Sequence, residues 1–135
     1  MKFREDFVTN SSSASYIICF ARIEDEEKAK TIINNHNIDI LSVEDVRYEM
    51  RWGYLGADWA GANIWSADRI LKEHPNDKYI ILEECNDATE YFDEETYECV
   101  IDYDYDFRVN DIITDITEQN GFADIEIAEG EGRNG

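Results

Sequence analysis

Residues 15–23, SYIICFARI, constrain the fold more than any other stretch of the chain. The run is apolar almost throughout and rich in β-branched and aromatic side chains, the composition of a strand packed inside a protein. It is also far shorter than the roughly 18 apolar residues a membrane-spanning helix needs. A buried strand here obliges the rest of the chain to supply partners and cover.

The flanking sequence supplies both. EDEEKAKTIINNHN (24–37) predicts a helix, with acids in its first turn at the positive end of the dipole and Ala29, Ile32 and Ile33 as its apolar stripe. SVEDVRYEMRW (42–52) alternates well enough to predict a strand with one irregularity. GANIWSADRILKEH (61–74) predicts a second helix with Ile64, Ala67, Ile70 and Leu71 on one side, stopped by His74-Pro75-Asn76-Asp77. KYIILEE (78–84) and TYECVIDYDYDF (96–107) predict strands. DIITDITEQ, with Asn110 as its cap and Asn120-Gly121 as its stop, predicts a third helix. FADIEIAE (122–129) predicts a last strand. The expected architecture is therefore α+β, one small domain over 1–129, with a mixed sheet of about five strands and about three helices on one face. Residues 130–135 are expected to be a mobile tail.

Charge sets the second constraint. The 135 residues carry 32 acids against 12 bases, a net charge of −20, yet are 43% hydrophobic, so a packed core is expected despite self-repulsion. The imbalance is lopsided. Residues 1–75 hold 13 acids and 9 bases, whereas 76–135 hold 19 acids and 3 bases. No base lies between Lys78 and Arg108. Such a field repels nucleic acid and acidic membranes and attracts basic protein surfaces or cations. The three cysteines form no CxxC pair, and the first ten residues have no apolar signal core, which points to a reducing cytoplasm.

Within the acidic half, Asp102, Asp104 and Asp106 alternate with Tyr103, Tyr105 and Phe107. On a strand the acids would take one face and the rings the other. As a calcium loop the row fails, because Phe107 stands where the turn glycine belongs and Ile113 where the closing glutamate belongs. Alternate strand residues lie roughly 6.5–7 Å apart, near the spacing of successive phosphates. With Glu83, Glu84, Asp93, Glu94 and Glu95, the row offers a phosphate-like array to a basic groove. A second candidate site is the aromatic loop around GYLGADWAG, in which Trp52, Tyr54, Trp59 and Trp65 would anchor a partner. Its glycines match no dinucleotide or phosphate-loop fingerprint. His36 and His74 fall near predicted helix C-termini, where positive charge is favoured.

The opening MKFREDFVTNSSSASYIICF resembles that of many small uncharacterised proteins of Gram-positive bacteria, their phages and mobile elements. These begin M-K-x-R-x-x-F-V-[ST]-N-S-S-S-[SA]-S-[FY]. The matching residues are Met1, Lys2, Arg4, Phe7 to Ala14, Ser15 and Tyr16. The resemblance implies a phage or mobile-element setting and transfers no activity. In general character, though in no motif, the chain is also similar to DNA-mimic anti-restriction and anti-CRISPR proteins. Composition, acid array and resemblance together lead to the expectation of a non-catalytic inhibitor. It would bind a basic nucleic-acid-binding protein, a CRISPR-associated nuclease being the natural target, with no cofactor and no direct contact to nucleic acid or membrane. The alternatives are an acidic adaptor working through the loop 52–65 and a small metal-dependent enzyme at the carboxylate cluster.

Overall fold

The structure, a computed structural model, describes residues 13–52 and 65–133. Among them lie five strands and four helices in the order β1 (Ser13–Ile23), α1 (Glu26–Asn35), α2 (Val43–Trp52), α3 (Trp65–Glu73), β2 (Lys78–Asp87), β3 (Thr89–Asp93), β4 (Glu98–Asp102), α4 (Asn110–Glu118) and β5 (Phe122–Arg133). The class is α+β, as expected. The strands divide into two antiparallel sheets, β2-β1-β5 and the hairpin β3-β4, where one mixed sheet was expected.

The apolar run in β1 makes it the middle strand. It pairs along its whole length with β2 (Ile18 opposite Glu83, Phe20 opposite Ile81) and with β5 (Ile18 opposite Ala128), with one irregularity between Phe20 and Arg22. Its side chains serve two cores. Tyr16, Ile18 and Phe20 pack with Val46 of α2, Ala67, Ile70 and Leu71 of α3, and Tyr79. Ala21 and Ile23 pack with Ala29, Ile32 and Ile33 of α1 and Ile116 of α4, while Ile17 and Cys19 meet Phe107 and Ile113. Helices thus cover both faces of the sheet, not one. That is why β1 is apolar without alternation, since neither of its faces meets water.

Residues 43–52, expected as a strand, form α2. Ser42 and Asp45 cap it reciprocally. The Ser42 N–H donates to Asp45 Oδ2 at 3.1 Å, and the Asp45 N–H donates to Ser42 Oγ at 3.2 Å. This is a capping box, and Val43 and Val46 then face inward one turn apart while Tyr48, central to the strand reading, is exposed. α1 follows its expectation. Asp25 Oδ1 accepts from the N–H groups of Glu27 and Lys28, and Asn37, at φ 54°, turns the chain out of the helix. In α3 the buried positions Ala67, Ile70 and Leu71 are those expected, and Ile64 lies outside the described residues.

Two joints fix the layers. Gly121, at φ 124°, offers its carbonyl to the N–H groups of Glu24 and Asp25 at 2.8 and 3.1 Å; a Cβ there would lie 2.7 Å from the Ala29 nitrogen. Only glycine meets both demands. At the same end of the sheet Arg22 bridges Asp77 (3.0 Å) and Asp124 (2.7 Å). β5 continues through Arg133, which pairs with Ser13, so residues 130–133 are strand and not tail. No helix among the described residues is long and apolar enough to cross a membrane.

Candidate interaction surface

The β3-β4 hairpin arises from two short β-forming segments, TEYFD and ECVID, around the acidic loop 94–97. Register runs from Thr89 opposite Asp102 to Asp93 opposite Glu98. Asp93 organises the turn, its Oδ1 accepting from the Glu95 N–H at 2.9 Å and its carbonyl from the Tyr97 N–H at 2.8 Å. Tyr97 closes the loop at φ 56°, a left-handed position that glycine or asparagine usually fills. Two hydroxyls from the serine run tie the adjoining chain down. Ser13 Oγ donates to Glu90 Oε1 at 3.3 Å, and buried Ser15 donates to the Asp104 carbonyl.

Alternation puts Tyr91 on one face of this ribbon and Phe92 on the other. They are 51% and 56% exposed, and Tyr97 at the turn is 80% exposed. Phe92 and Tyr97 meet edge to face with centroids 6.4 Å apart, so the rings are held in place though wet. Around them stand Glu90, Asp93, Glu94, Glu95, Glu98 and Asp102, and the segment 89–102 contains no base.

The acids singled out in the sequence are placed less simply than a single strand face. Asp102 ends β4, and residues 103–107 are irregular, crossing the second face of the main sheet on the way to α4. The Asn86 amide donates to the carbonyls of Asp104 and Asp106, and Asp104 Oδ1 accepts from the Asp106 N–H at 2.9 Å. The sidedness survives only in part: Asp102, Asp104 and Asp106 are exposed and Phe107 is buried, but Tyr105, expected on the inner face, is 38% exposed and donates its hydroxyl to Glu131, which pushes its pKa up to about 12. The strand spacing that suggested a phosphate ladder does not exist here.

Glu83 and Glu84, adjacent on β2, point to opposite faces and share no surface. Glu84 accepts from the N–H groups of Arg108 (2.9 Å) and Val109 (3.1 Å), pinning the turn that leads into α4. Asn110, expected as the cap, is the first helical residue instead. Glu83 faces the α2 side with a buried Oε2 that has no hydrogen-bond partner; burial, and then the Glu49 charge, raise its pKa to about 7. Asp93, Glu94 and Glu95 do gather at the hairpin turn. None of the eight acids has an ion-pair partner among the described residues. Nor do any three of the described His, Cys, Asp and Glu side chains converge so as to hold a metal ion.

Of the aromatic anchor, Tyr54 and Trp59 lie outside the described residues, and Trp52 and Trp65 are described only as the last residue of α2 and the first of α3. The exposed rings of the hairpin escaped the sequence reading because Tyr91 and Phe92 are consecutive, which breaks apolar alternation. The signal available was two β-forming pentamers separated by four loop residues. Comparison with known protein families, curated proteins and solved structures finds no match.

Proposed function

We propose that this protein is a non-catalytic acidic inhibitor that fills the basic nucleic-acid groove of a partner, with the β3-β4 hairpin and the acids of 102–106 as its binding surface. The observation that carries the proposal is a difference in how charge is held at the two ends of β1. Near Ile23, Arg22 and His74 sit among Asp77 and Asp124. Near Ser13, Glu94, Glu95, Glu98, Asp102, Asp104 and Asp106 are exposed and hold no ion-pair partner among the described residues. Exposed like charge clustered at one end costs stability through repulsion, a cost relieved when a basic surface arrives. The N-terminal resemblance adds the setting, a phage or mobile element inside a bacterial cell, and the likeness in general character to anti-restriction and anti-CRISPR proteins makes a restriction or CRISPR-associated nuclease the proposed partner.

The test is a binding titration of such nucleases over a salt series. The expected result is capture at low salt, release at high salt and displacement by DNA. Reversal of Glu94, Glu98 and Asp102 to lysine should abolish capture and leave the fold intact. Binding that ignores both salt and the reversal would overturn the proposal.

A further inference from the structure

Resting on that reading, we infer that the groove the hairpin fits is one built for a single nucleic-acid strand, the rings standing in for bases and the acids for phosphates. The ribbon's chemistry favours this because it has two parts. Grooves for single strands combine a basic track with aromatic side chains on which bases stack. The hairpin offers the complement of both parts, six acids along its strands and turn and three exposed rings. A surface meant only for a basic duplex-binding groove would need the acids and not the rings.

The rings are also placed at a cost the fold does not require. Tyr97 occupies a left-handed position where an L side chain is strained, and its ring is largely exposed there. Tyr91 and Phe92 leave opposite faces, so no single flat surface covers both. A cleft with two walls does, as a groove closing around a strand.

The experiment measures affinity for two purified probes of similar basic charge, a sequence-independent single-stranded-DNA-binding protein and a sequence-independent duplex-binding protein. The protein should bind the first at least tenfold more tightly and be displaced from it by an oligothymidylate. The Tyr91→Ala, Phe92→Ala, Tyr97→Ala triple variant should lose roughly tenfold or more, the scale of base stacking, with its salt dependence unchanged. Tyr97→Asn, which relieves the strained turn, guards against misfolding and should lose affinity while melting no lower than the parent. Equal affinity for both probes, or a triple variant that binds normally, would overturn the inference and leave the basic-partner proposal standing. Binding to neither probe would overturn both.

Discussion

Phe20 and Phe92 are the same residue in two regions built on different terms. Phe20 is fully buried in the middle strand and stacks on Tyr79 with centroids 5.5 Å apart. Phe92 stands 56% exposed on a two-stranded ribbon, touching Tyr97 in a segment, 89–102, that carries six acids and no base. The main sheet uses its apolar side chains to hold two helical layers together; the hairpin displays them. A ribbon of two strands is marginal alone, so its geometry depends on the loop bonds of Asp93 and on the serine hydroxyls at its base. What the difference teaches is that the rings that hold the fold and the rings displayed to solvent are separate sets, and each can be broken without the other.

The largest effect should come from truncating the two rings in turn. Phe20→Ala should cost about 3–5 kcal/mol, enough to unfold a marginal domain, whereas Phe92→Ala should stay within about 0.5 kcal/mol in a urea titration. Similar costs for the two would break the comparison. Next comes Arg22, whose side chain is 13% exposed while its partners Asp77 and Asp124 are 38% and 36% exposed. Arg22→Ala should cost about 1–2 kcal/mol, discounted for the partners' contact with water. Neutralising an acid at the hairpin turn, Glu95→Gln, should cost nothing measurable.

Adjacent acids on β2 sharpen the contrast further. Glu84→Ala frees two N–H groups of the turn before α4 and should cost about 1 kcal/mol. Glu83→Gln should do the opposite at alkaline pH. The folded Glu83 carboxyl holds its proton up to about pH 7, against an ordinary value of 4.5, so the folded state binds more protons than the unfolded state across that window. Stability contributed through Glu83 is therefore greatest below pH 4.5 and declines as pH rises towards 7. The urea midpoint of the parent should fall over this range more steeply than that of Glu83→Gln, and parallel profiles would contradict the assignment.

Much of the main sheet is legible in the sequence because its determinants are local. The apolar run of β1, the acids opening α1, and the inward Ala67, Ile70 and Leu71 of α3 each announce themselves within about ten residues. Helix α2 was misread because Val43, Val46 and Tyr48 fit an irregular alternation, while the deciding feature was the reciprocal Ser42–Asp45 cap. The helices' distribution over both faces was implicit in β1's lack of alternation. The row at 102–106 shows the limit of local reading. The outward aspartates and the inward Phe107 follow from alternation, but Tyr105 is exposed and the backbone is fixed by Ser15 and Asn86, distant in sequence, which take carbonyls a strand partner would have used. The hairpin's rings were hidden for a similar reason, since consecutive aromatics among acids carry no periodic signal until a partner strand separates their faces.

The most direct measurement is made on one variant that keeps every ring and removes the charge, Glu94→Gln, Glu95→Gln, Glu98→Gln and Asp102→Asn together. Its urea midpoint and its affinity for a basic single-stranded-DNA-binding protein would be read side by side. If the hairpin's charge serves recognition, the midpoint will hold or rise as repulsion is relieved, and affinity will fall with a shallower salt dependence. A lowered midpoint with undiminished affinity would assign these acids to the fold and contradict the account.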